Sequence, residues 1–325
     1  MTGLSDSFQR PINYLRISVT DRCNLRCIYC MPVEGINLMA HHDILSYEEI
    51  ELVARAAAEL GINKLRLTGG EPLLRPELSK LVEALARVEG IEDISLTTNG
   101  VLLKKYAAEL KQAGLHRVNV SLDSLRSDRF HIITRVGKLG EVLEGIDAAR
   151  QVGLDPVKIN TVAIRGLNDD EVLDFARRTI DQEWHVRFIE LMPFSEDGKD
   201  NHSFIAASEI RQRVESLGKL DTVRSGDGGP AKYFSLAGAL GTIGFISPIS
   251  DHFCSECNRL RLTAEGKLRS CLFSDEEIDL KKPLREGATL VDLKLLIRGA
   301  ALCKPEGHKI IAGIVCERSM AQIGG

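Results

Sequence analysis

The chain has 325 residues, 44% hydrophobic and 27% charged, which excludes disorder as the main state and suits one large α/β domain or two modest ones. Its 42 basic and 46 acidic residues give a net charge of −4, which argues against nucleic-acid binding through a general basic surface. Residues 1–11 lack the apolar core of a secretory signal, and the longest uncharged run, 233–250, is interrupted by Gly238, Gly241, Gly244 and Pro248. A cytoplasmic chain with no membrane partner is expected, and the uncharged run reads as two strands and a turn.

In chain order, apolar β-branched runs predict strands at Leu15–Val19, Leu65–Thr68, Ile94–Thr97, Val118–Leu122, Val157–Ile164 and Val186–Leu191. Helix-period runs lie between them at 47–60, 77–88, 102–113, 139–152 and 169–180, the first opened by a capping box of Ser46 and Glu49. This alternation implies parallel strands with right-handed crossovers. Six units are too few to close an eight-stranded barrel, so an open barrel or a doubly wound sheet remains, with the chemistry at the C-terminal strand ends. After residue 220 the character changes: a flexible turn at 225–230, short strand-like runs through Phe273, a helical pattern at 289–302 and a terminal Gly324-Gly325.

Of eight cysteines, Cys23, Cys27 and Cys30 form one group and Cys254, Cys257 and Cys271 another, while Cys303 and Cys316 stand alone. Cytosolic thiols stay reduced, so spaced triplets point to metal or cluster ligation rather than disulfides. A zinc knuckle at the first triplet would need a fourth ligand from His41, His42 or a distant cysteine. Three thiolates suit a four-iron cluster with one iron open to a small chelating group. At the second triplet the same two readings stand, with Asp251, His252 or Cys303 available to complete a zinc site. Arg259 and Arg261 alternate with Leu260 and Leu262, as on a strand with one polar face, and Arg10, Arg16, Arg22, Arg26, Lys64 and Arg66 concentrate positive charge near the first triplet. A polyanionic substrate would account for them, held by side chains, because the chain has no G-x4-G-K-[ST] loop.

Cys23-x3-Cys27-x-Tyr29-Cys30 resembles the signature of radical S-adenosylmethionine (SAM) enzymes, and Gly69-Gly70-Glu71-Pro72 resembles the segment by which they hold the methionine amine. With the second triplet, Cys257-Asn-Arg-Leu-Arg261 and the terminal diglycine, the whole chain from about Leu15 is similar to the GTP 3′,8-cyclase family of molybdenum cofactor biosynthesis. The resemblance implies an α/β fold, an incomplete, open TIM-type barrel of about six βα units over residues 1–220, then a mainly β and helical extension over 221–325. It implies two [4Fe–4S] clusters, on Cys23, Cys27 and Cys30 and on Cys254, Cys257 and Cys271. It further implies a SAM pocket of Tyr29, Gly70, Ser121 and Met192, and GTP contacts from Arg16, Arg66, Thr97, Lys158, Arg259, Leu260 and Arg261. Arg259, Arg261, Gly324 and Gly325 would serve catalysis, the diglycine as an arm entering the active site. The family also suggests a homodimer, an electron donor and hand-off to cyclic pyranopterin monophosphate synthase. A peptide-modifying radical SAM enzyme and a non-enzymatic iron–sulfur or zinc scaffold are the alternatives.

Overall fold

The computed structural model describes residues 3–193, 203–223, 229–308, 318 and 320–324. Along the early strands every second residue is apolar and buried, as with Leu15 and Ile17, Leu65 and Leu67, Ile94 and Leu96, and Val118 and Val120. These pack in one core with helix residues such as Val53, Leu81, Leu110 and Val142, leaving the opposite strand face to polar side chains.

The strands are β1 (Tyr14–Ser18), β2 (Lys64–Thr68), β3 (Asp93–Thr98), β4 (Arg117–Ser121), β5 (Lys158–Ala163), β6 (His185–Glu190), β7 (Leu220–Val223), β8 (Lys232–Leu236), β9 (Thr242–Ile246), β10 (Arg259–Leu262), β11 (Lys267–Arg269) and β12 (Glu277–Asp279). The helices are α1 (Tyr47–Ala58), α2 (Leu78–Ala86), α3 (Leu103–Gln112), α4 (Ser127–Thr134), α5 (Leu139–Gln151), α6 (Val172–Asp181), α7 (Ala207–Glu215), α8 (Lys281–Arg285), α9 (Leu290–Leu302) and α10 (Met320–Ile323). All six expected βα strands and five helices are present, and the capping box of Ser46 and Glu49 opens α1 with both of its hydrogen bonds. The uncharged run holds β8 and β9. Helices α4 and α7 were not anticipated: their stripes are narrow, with only Phe130, Ile133 and Thr134 buried in the one and Ala207, Ile210 and Val214 in the other.

The sheet runs β12-β11-β10-β1-β2-β3-β4-β5-β6-β9-β8-β7. Strands β1 to β6 are parallel in sequence order, and the C-terminal region adds a parallel strand at each side, β10 beside β1 and β9 beside β6. Antiparallel pairs follow outward, and β12 and β7 are edges without a further strand among the described residues, so the barrel is open. The boundary expected between residues 220 and 221 falls within β7 of this same sheet. No helix among the described residues is long and apolar enough to cross a membrane.

Candidate active site

Parallel register aligns the polar faces of neighbouring strands. Arg16 of β1 lies beside Arg261 of β10 on one side and Arg66 of β2 on the other. Farther along, Arg66 aligns with Ser95, Thr97 with Asn119, Ser121 with Asn160, and Asn160 with Arg187. These faces and the loops at the C-terminal strand ends enclose a cavity of about 310 Å³.

Both cysteine groups line it. The first lies on the loop leaving β1. That loop is held by α4: Arg26 and Ile28 N–H donate to the carbonyls of Thr134 and Ile133, both at 3.0 Å, and Arg135 Nη1 donates to the carbonyls of Arg26 and Met31 at 3.0 and 2.9 Å. The second group sits at the open end of the β10–β11 hairpin, where Cys257 precedes one strand and Cys271 follows the other; the pairing of Arg261 with Arg269, carried onward, sets Cys271 opposite Arg259. Neither triplet has its three sulfurs within 4.8 Å of one another. Sulfurs on one tetrahedral zinc at ~2.3 Å would be only about 3.8 Å apart, whereas a multi-iron cluster takes thiolates set farther from one another.

N–H groups also aim at the sulfurs: Leu25 N at 3.4 Å and Asn99 Nδ2 at 3.9 Å from Cys23 Sγ, with backbone bonds from Ala321 to Cys30 and from His308 to Cys254. Burial, followed by the fields of Asp123 and of its fellow cysteines, pushes the Cys27 thiol well up, and burial with Cys23 pushes Cys30 up to about 12. Three thiolates packed this way repel one another until a cationic centre binds them. Cys257 differs. Burial opposes its ionisation, but Arg259 and Lys304 outweigh burial and bring the thiol down to about 6.

The expected SAM-side residues share the cavity with the first triplet. Tyr29, Gly70, Ser121 and Met192 all line the cavity. Tyr29 donates to Asp123 Oδ2 at 2.6 Å, and Asp123 Oδ1 accepts from Val162 N at 2.8 Å. Gly70 presses against backbone: a Cβ there would lie 2.4 Å from the Arg22 carbonyl oxygen. The buried Glu71 carboxylate accepts from Thr98 Oγ1, Asn99 N and Leu73 N at 2.7, 2.7 and 3.0 Å, joining the glycine segment to the end of β3; burial raises its carboxyl to about 7.

Arg16, Arg66, Thr97, Arg259 and Arg261 line the other part of the cavity. Burial, then the charges of Arg261 and Arg66, lowers Arg16 well below its usual value; burial and Arg259 bring Arg261 to about 10. Lys158 sits just behind the wall, its ammonium 5.2 Å from the Tyr233 ring centre, brought to about 6 by burial and then Arg187, Arg117 and Arg66. Strand alternation turns the fully buried side chain of Leu260 into the helix-side core, which leaves its backbone to make the expected GTP contact. Gly324 lies against the ends of β1 and β2: its carbonyl accepts from Arg16 Nη2 at 3.3 Å, and a Cβ on it would lie 2.9 Å from Ser18 Cβ and 3.0 Å from Thr68 Cγ2. Gly325 lies outside the described residues, as does Cys316.

Sequence reasoning missed Arg187, Asn160 and Arg117 on this wall. Strand parity could have found Arg187, whose side chain shares its face of β6 with Ile189, which also lines the cavity. Arg187 Nε and Nη2, Arg259 Nε and Arg261 Nη1 are buried without a hydrogen-bond partner among the described residues. Buried guanidinium donors facing a cavity require acceptors, and multiply charged anions supply them.

The radical SAM superfamily model matches residues 17–179, and a molybdenum cofactor synthesis C-terminal model matches 184–310. Proteins named GTP 3′,8-cyclase from Thermodesulfovibrio yellowstonii and Pelotomaculum thermopropionicum are 55% and 54% identical to the chain, each over 99% of it and 100% of their own length. One from Geobacter sulfurreducens is 49% identical over 99% of both chains. Among solved structures, Streptococcus suis SuiB bound to S-adenosylmethionine superposes with a TM-score of 0.62 at 15% identity, over 84% of this chain and 64% of its own, a likeness of fold. Two thiol triplets, the glycine segment and full-length identity above one half agree: the chain belongs to the GTP 3′,8-cyclase family of the radical SAM superfamily.

Proposed function

We propose that the chain is a radical SAM GTP 3′,8-cyclase, converting GTP to (8S)-3′,8-cyclo-7,8-dihydroguanosine 5′-triphosphate in molybdenum cofactor biosynthesis. The observation that carries this reading is the meeting, in one cavity, of two thiol triplets and a belt of buried arginines. When bound, a [4Fe–4S] cluster on Cys23, Cys27 and Cys30 supplies the electron that cleaves SAM, and one on Cys254, Cys257 and Cys271 supplies an open iron for the guanine edge. Tyr29, Gly70, Ser121 and Met192 hold SAM, Tyr29 and Gly70 through backbone. Arg16, Arg66, Arg187, Arg259 and Arg261, with Thr97 and Lys158, hold GTP, the guanidinium groups pairing with the triphosphate oxygens. Their alignment sets C3′ of the ribose toward the SAM side, so that the hydrogen atom at C3′ passes to the 5′-deoxyadenosyl radical, C3′ bonds to C8 of guanine as the C8–N7 double bond opens, and one electron from the electron donor and one proton complete the dihydroguanine at N7. The walls exclude water, and Gly324, which has no side chain to obstruct the cavity, narrows it from the C-terminal end.

Residues 1–220 thus supply the SAM side and 221–325 the second cluster and the tail. A cytoplasmic homodimer, served by an electron donor and delivering product to cyclic pyranopterin monophosphate synthase, completes the proposal. GTP deuterated at C3′ tests the function: with dithionite and SAM, the reconstituted enzyme is expected to release 5′-deoxyadenosine carrying deuterium. Unlabelled deoxyadenosine would remove C3′ of GTP as the target and favour a peptide substrate.

A further inference from the structure

The sequence motifs do not include Lys304, yet its side chain reaches the second cysteine group at Cys257. It is 3% exposed and lines the cavity. Its ammonium donates to the carbonyl of Arg259 at 2.9 Å and to that of Ser270 at 2.7 Å, and it hydrogen-bonds the Cys257 sulfur. Ser270 immediately precedes Cys271, and Arg259 is two residues after Cys257, so a single amine joins the segments carrying two of the three thiols. No aspartate or glutamate among the described residues pairs with it. A buried ammonium without a carboxylate is heavily disfavoured unless another anion faces it. Here that anion is the thiolate group.

The next two residues are fixed from the opposite side. Arg10 Nη2 donates to the Pro305 carbonyl at 2.6 Å, and Nη1 donates to the carbonyls of Glu306 and Cys254 at 2.9 and 2.6 Å. Arg10 is itself held by Asp6 at 2.5 Å. The segment 304–306 is therefore clamped between the third thiol-bearing strand end and the first cysteine of the group, which leaves the ammonium little freedom to turn away.

We propose that Lys304 is a positioning residue for the second cluster, its fixed positive charge stabilising the reduced, more negative cluster and thereby raising the cluster's potential. This rests on Cys254, Cys257 and Cys271 being cluster ligands. The test is an EPR-monitored redox titration of anaerobically reconstituted holoenzyme, with the first cluster identified as the component that responds to added SAM. In Lys304→Gln, which keeps an N–H donor but no charge, the SAM-insensitive component is expected to move to a more negative potential while the other stays. Lys304→Arg is expected to restore it. An unmoved potential in Lys304→Gln, at full iron content, overturns the proposal. Should the Gln variant lose half its iron, retention by the Arg variant supports a charge requirement and loss from both overturns it. Wild-type protein holding iron for one cluster only would overturn the ligand reading itself, and the proposal with it.

Discussion

At Gly70, an added methyl group would meet the carbonyl oxygen and carbon of Arg22 at 2.4 and 2.7 Å, and backbone cannot rotate aside. Gly70→Ala must therefore displace the loop entering Cys23. Overpacking of this kind costs ~1–3 kcal/mol, and SAM affinity is expected to fall by roughly 5- to 150-fold if the strain falls on the bound state. Equilibrium dialysis against Gly140→Ala, where no atom lies within 4 Å, isolates the effect. Lys158 makes a different prediction. Folding takes its amine from a usual 10.5 to about 6, by burial first and then by Arg187, Arg117 and Arg66. Between those values the unfolded chain holds a proton that the folded one lacks, so this group makes the ligand-free protein more stable as pH rises through that window. A triphosphate beside Lys158 restores the charge. GTP binding at pH 8 is expected to take up protons, approaching one per chain, and to lose that uptake below pH 6 and in Lys158→Met. Calorimetry in two buffers of different ionisation enthalpy measures it, and no uptake at pH 8 would separate Lys158 from the triphosphate.

Among the elements, α9 has the clearest local cause. Thr289 and Asp292 form a reciprocal capping box, and Leu293, Ile297, Ala300 and Ala301 are buried. Thr289→Ala is expected to lower unfolding free energy by ~1 kcal/mol, read as a reduced denaturant midpoint at unchanged slope. The helix ends beside Lys304, so its N-cap indirectly supports the second cysteine group. Elements of this kind were legible in the sequence because capping and alternation are local signals, and the cysteine spacing singled out the two thiol groups that line the cavity for the same reason. What escaped was non-local. Nothing local tells Arg259 that it will align with Tyr14, or α4 that it will hold the cysteine loop. Lys304 and Arg10 act through single contacts across the fold, which no spacing encodes. Strand parity assigns alternate members of a motif to opposite faces, so Leu260 differs from Arg259 and Arg261 in what its side chain touches.

For the molecule as a whole, charge is segregated: a chain of net −4 buries arginines around one cavity. The wall that holds them is a single sheet crossing both family matches, with β10 beside β1 and β9 beside β6. Residues 1–220 expressed alone would leave the buried edge of β1 unpaired and lack Arg259 and Arg261. Such a fragment is expected to aggregate and to bind no GTP, and co-expression with 221–325 to recover soluble material. Size-exclusion chromatography reads the outcome; a monomeric, cooperatively melting fragment would show that the two parts fold independently.

The pairing of β1 with β10 also sets a schedule. Asn13 and Asn258, whose side chains meet at the base of these strands, are 245 residues apart. At ~5–20 residues per second of synthesis, the first strand waits roughly 12 to 50 s for its neighbour. Throughout that interval the cavity lacks a wall, and the early cysteines lie open to solvent and oxidant. Iron delivered to a nascent chain would find one ligand group without the other, so joint assembly of both centres has to follow translation through β10 and β11.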